Sequence, residues 1–194
     1  VYQLEDEEFF AMKKYVALIL ATLATPSFAD NLALDLNDDA LRLNYQYSLD
    51  KNYNTDFAWT HVKDLGNTFS AGLTLTQSLN NDISANIGGK AIFQQHYHLP
   101  DGTAIAIGGS LRLTPAANKN FAVMASAYFA PNVLSFGDMD DYQEFEIRGE
   151  YKVSEQLTGY VGYRNNISYY NVNCSKYKNR ELYDGVMFGA QFNF

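Results

Sequence analysis

Apolar side chains recur at every second position in segment after segment of this chain. Leu41, Leu43, Tyr45, Tyr47 and Leu49 make one such row, and Phe57 with Trp59 a shorter one. Phe69, Ala71, Leu73 and Leu75 follow, then Ile83, Ala85, Ile87, Gly89, Ala91 and Phe93. The device returns at 105–113, 121–129, 145–153 and 157–163, and again at 186–194. Polar and small residues fill the alternate places, as in Thr68, Ser70, Gly72, Thr74 and Thr76. A period of two over about ten residues predicts β-strands with one apolar and one polar face. That makes nine strands, and Leu32, Leu34 and Leu36 of "NLALDL" offer a tenth. The apolar parity changes between Leu36 and Leu41, which calls for a turn or a bulge at "NDDA".

One-faced strands suit either a soluble sandwich or a transmembrane barrel with the apolar face toward lipid. The connections favour the barrel. They are short at "SLNND", "PAANK" and "VSEQ" and longer at 130–141 and 169–182, as periplasmic turns and external loops would be. Aromatics gather toward strand ends at Tyr45, Tyr47, Trp59, Phe69, Phe93, Phe121, Phe129, Phe192 and Phe194, where interfacial girdles sit. The fold class expected is all-β: a closed antiparallel transmembrane β-barrel of about ten strands, with eight as the alternative, following a cleaved signal peptide.

Both ends of the sequence bear on that expectation. From Met12, "MKKYVALILATLATPSFAD" has a lysine pair, a short apolar run and a small-x-small site, which reads as a signal peptide over 12–29 cut between Ala29 and Asp30. The apolar run is too short to span a bilayer. The acidic stretch 1–11 does not fit that signal and is expected to be an over-extended gene start, leaving 30–194 as the barrel domain. At the other end, Val186, Phe188, Ala190, Phe192 and Phe194 alternate up to the last residue. A closed barrel has no edge, so its last strand pairs with its first. An alternating terminal strand ending on Phe resembles the signal that the β-barrel assembly machinery reads in bacterial outer-membrane proteins.

Charge then narrows the chemistry. Residues 1–29 hold four acids and two lysines, so their removal takes the formal net charge from −8 to −6. An acidic chain has no electrostatic case for nucleic acid. With the apolar faces toward lipid, Lys90, Arg112, Glu144, Glu146, Arg148, Glu150 and Arg164 fall inside the barrel. They either set solute selectivity or pair off to fill a narrow lumen, and the mixed signs favour pairing. No catalytic pattern emerges. His61, His96 and His98 lack the Ser partner of a lipid A deacylase, "GxSxG" is absent, and His96 with His98 offers two ligands where a metal site takes more. Asp138, Asp140 and Asp141 lack calcium-loop spacing. Cys174 is the single cysteine, and Lys176, Lys178 and Arg180 flank it in the second long loop. The expectation is a non-enzyme without cofactor or metal.

Several stretches are similar to the YfaZ family of bacterial outer-membrane proteins: "AWTH", "IGGKAIF", "AIGGSLRL", "YFAPNVLSFGDMDDYQE", "GYVGYR" and "DGVMFGAQFNF". The resemblance covers most of 30–194 and implies a small barrel in a Gram-negative outer membrane, with a porin-like role. The function expected is a narrow porin-like channel or a membrane-structural barrel; the alternative is an adhesion or binding barrel acting through 130–141 and 169–182. Partners expected are outer-membrane lipid and lipopolysaccharide, the assembly machinery during insertion, and periplasmic chaperones.

Overall fold

The computed structural model describes residues 31–97, 100–172 and 175–194, and of 171–182 the backbone alone. The strands are β1 (Asn31–Leu36), β2 (Ala40–Ser48), β3 (Tyr53–Val62), β4 (Gly66–Ser78), β5 (Ile83–His96), β6 (Gly102–Leu113), β7 (Phe121–Ala130), β8 (Ser135–Gly137), β9 (Met139–Lys152), β10 (Leu157–Val172) and β11 (Ser175–Asn193). Each pairs antiparallel with its neighbours, β1 pairs with β11, and β5 pairs with β6, so ten strands close on themselves. The eleventh, β8, is three residues long and pairs only with the far end of β6, at Gly102–Ala104. Closure gives each of the ten strands two partners, the condition for backbone amides to survive in lipid.

The parity change after Leu36 is a turn. Leu36 stands opposite Leu41, and the Asn37 side chain accepts from the Asp39 and Ala40 amides, both at 2.8 Å. The predicted faces point as the alternation requires. Leu43, Phe57, Leu73, Ile87, Ile107, Ile147, Val161 and Phe188 are exposed on the outside, and Phe188 is 64% accessible. Both described ends lie with the turns 49–52, 79–82, 114–120 and 153–156, which makes this the periplasmic end.

Two expected loops differ. Residues 130–141 do not project as one loop: 132–134 form a 3-10 turn, 135–137 form β8, and β9 begins at Met139. Residues 169–182 are a hairpin, with β10 running to Val172 and β11 starting at Ser175. Strands that rise past the hydrocarbon have water on both sides, so no apolar row marks them in the sequence. Residues 1–30, with the Ala29–Asp30 cleavage site, lie outside the described residues, as do His98 and Cys174.

Inside lie two apolar clusters, the first of them in the external half. One joins Ile92, Ala104, Ala106, Ala130, Met139, Tyr142 and Tyr170, with Leu134 of the 3-10 turn folded against it. The other joins Ala33, Ala40, Val62, Tyr160, Tyr183 and Met187.

Candidate functional site

Between the first of those clusters and the periplasmic turns the lumen is polar, and β9 supplies its spine. Alternation aims Tyr142, Glu144, Glu146, Arg148 and Glu150 inward from this one strand. Every carboxylate on that spine is met by a cation. Lys90 of β5 donates to Glu144 at 2.7 Å, and the Tyr142 hydroxyl donates to the other oxygen at 2.5 Å. Arg164 of β10, in register with Glu146, donates to it twice, at 2.9 and 2.6 Å. Arg148 bridges Glu146 at 3.2 Å and Glu150 at 2.8 Å, and Arg112 of β6 pairs with Glu150 from across the wall.

The network extends beyond the residues that the sequence singled out. Asp35 of β1 accepts from Arg164 at 2.9 Å and from the Tyr160 hydroxyl. Arg42 of β2 stands 4.0 Å from Glu146. Asp56 of β3 lies over Gly72, where a Cβ would come within 2.3 Å of its carboxylate. These three share the inward parity of Lys90 and Arg148, which was the available signal; it lay in the first, least regular strands. Aromatic faces take up part of the cationic charge: Lys90 sits 4.0 Å from the Tyr128 ring centre and Arg148 4.5 Å from that of Tyr160.

Counted together, the lumen holds Asp35, Asp56, Glu144, Glu146 and Glu150 against Arg42, Lys90, Arg112, Arg148 and Arg164, so the described charges cancel. Burying charge is tolerable when each group is paired and hydrogen-bonded. Toward the periplasm these residues border a cavity of about 340 Å³, whose other wall is neutral: Asn44, Gln46, Asn54, Thr74, Thr76, Ser84, Asn86, Ser110 and Ser126. It shares Asn31, Arg112 and Gln191 with a hollow of about 310 Å³ among the periplasmic turns. Just above the charges, the space bounded by Arg42, Tyr142, Glu144, Arg164 and Tyr183 shrinks to about 20 Å³. The lumen is a vestibule open toward the periplasm that narrows sharply at the paired charges.

His96 ends β5 facing inward. Its Nε2 lies 3.0 Å from the Tyr170 hydroxyl, which donates to Gln94 at 2.8 Å. His61 faces out, and no group of three metal-ligating side chains comes together among the described residues. Val186, Phe188, Phe192 and Phe194 are exposed on the outer wall of β11, with Ala190 between them.

A family model described as "YfaZ precursor" matches residues 9–194. The chain belongs to the YfaZ family. The "Outer membrane protein YfaZ" of Escherichia coli (strain K12) is 29% identical over 138 residues, which is 70% of this chain and 72% of that protein. Among solved structures, a KdgM porin overlays with a TM-score of 0.47 at 11% identity, covering 86% of this chain and 99% of that one. A NanC porin gives 0.47 at 6%, covering 87% and 99%. A bacterial polysaccharide outer membrane secretin gives 0.47 at 10%, where the match covers 80% of this chain but only 56% of that one. This YfaZ-family chain is a ten-stranded barrel of the Gram-negative outer membrane.

Proposed function

We propose that the protein is a passive, narrow porin-like barrel whose conduction is limited by the layer of paired charges. The observation that carries this reading is that the cavity of about 340 Å³ ends at Lys90, Glu144, Glu146 and Arg164, beyond which the space beside Glu144 and Arg164 is a void of only about 20 Å³. A solute entering from the periplasmic vestibule meets carboxylates and cations that are already paired with one another. The same filling supports a second reading, a membrane-structural barrel that never conducts. Adhesion through the external loops has less support, because Leu134 and Met139 pack inward at the mouth.

Planar-bilayer recordings on protein extracted from outer membranes after expression of the full chain test this. The wild type is expected to give small steps or none. Lys90→Ala/Glu144→Ala removes one pair without changing net charge and is expected at least to double the step size or to create steps. Arg148→Ala leaves the lumen one positive charge short and, in that widened background, is expected to shift selectivity toward cations. A folded double variant, verified by its heat-dependent gel shift, that conducts no better than wild type would refute the constriction and leave the structural barrel.

We also infer that the outward row Val186, Phe188, Ala190, Phe192 and Phe194 presents the closing strand to the assembly machinery after delivery by periplasmic chaperones. It is apolar, unbroken and on the strand that seals the barrel against β1.

A further inference from the structure

The lipid-facing wall carries a recess that the lumen does not explain. Along the outside of β5 the row runs Phe93, Ala91, Gly89, falling from an aromatic to no side chain at all. Ala91 stands beside Ala71 of β4, and that small pair is flanked in register by Phe57 of β3 and Ile105 of β6. The next row toward the external rim is Trp59, Phe69 and Phe93. Of these, Phe57, Trp59, Phe69, Ala71, Ala91 and Phe93 line a groove of about 450 Å³ whose floor is alanine and whose walls are aromatic.

We propose that this groove holds one acyl chain of lipid A, the membrane anchor of lipopolysaccharide. The proposal rests on the outer-membrane placement and is independent of whether the lumen conducts. Three features select this occupant. The groove climbs from the middle of β3 to Thr103 near the external end of β6, so it lies in the leaflet that lipopolysaccharide fills. It is two strands wide in a convex wall. A second barrel, also convex, would touch its aromatic walls and leave the alanine floor empty, whereas a single hydrocarbon chain reaches it. Finally, the rim above it is polar and fixed. The Asn67 side-chain carbonyl accepts from Trp59 Nε1 at 3.1 Å and lies 3.1 Å from His61 Nδ1, which leaves the Asn67 NH₂ to donate to a sugar or phosphate oxygen.

Native mass spectrometry of the protein extracted from outer membranes, with lipid A or phosphatidylethanolamine added back after delipidation, tests the site. The wild type is expected to keep one lipid A at a collision energy that strips all phosphatidylethanolamine. Ala71→Phe/Ala91→Phe fills the groove with apolar groups that lipid accepts, and is expected to lower that occupancy at least tenfold. Asn67→Ala, which leaves the floor intact, is expected to lower it several-fold. Ile147→Phe, on the opposite wall, is expected to leave it unchanged. Equal retention by wild type and the filled variant, loss of both lipids at one energy, or a dimer as the retained species would each overturn the proposal. A silent bilayer recording has no bearing on it.

Discussion

Gly189 faces the lumen from β11, and the ring of Tyr160 lies across it: a Cβ there would stand 2.3 Å from ring carbons. The missing side chain lets Tyr160 reach Asp35 over the backbone of the strand between them. Gly189→Ala is therefore expected to destabilise the barrel by about 1–3 kcal/mol, the ordinary cost of overpacking. Urea unfolding in micelles measures it, and in a double-mutant cycle with Tyr160→Ala the penalty should largely vanish; an undiminished penalty would place the clash elsewhere. Glu146 carries a larger stake, because Arg164, Arg148 and Arg42 all lean on it. Glu146→Ala leaves Arg164 with Asp35 alone and Arg148 with Glu150 alone, one buried positive charge in excess, and should cost about 3–5 kcal/mol by the same assay. That Asp35, Arg42 and Asp56 face inward was legible in their parity. Which partner Asp35 or Arg42 meets was not, because Asp35 and Arg164 stand 129 residues apart in the chain.

At the scale of the strand, depth decides cost. Ile107 lies midway along β6 and is 58% exposed to the outside, whereas Leu113 ends the same strand at the periplasmic rim. Ile107→Arg should cost about 2–4 kcal/mol and Leu113→Arg about 0–1, compared by unfolding in lipid vesicles. Equal penalties would mean that the belt is misplaced along β6. The hydrocarbon belt also explains which elements could be read from sequence. Where lipid touches a strand, the outer positions must be apolar, so β4 through β7 are plain in the alternation. Past the belt that requirement ends. Asp140 and Asp141 open β9, and the distal parts of β10 and β11 carry no apolar row, so both stretches read as loops although their backbones pair as strands.

Across the whole molecule, three things were legible from residue order: an outward apolar face for each strand, an inward polar face, and closure of the sheet. Each of these follows from a local rule: period two matches the pleat, lipid demands apolar contact, and an unpaired edge is prohibitive in hydrocarbon. How the interior groups meet and what space they leave came from the tertiary arrangement. The cancellation of five acidic by five basic groups, the vestibule toward the periplasm and the 20 Å³ constriction depend on the stagger at which ten strands meet. So do the two-alanine floor and aromatic walls of the outer groove, which combine four strands spread over residues 57–103. Alternation fixes on which side of the wall a residue stands but not its height in the barrel, and height is what brings Asp35 to Arg164 and Ala71 to Ala91.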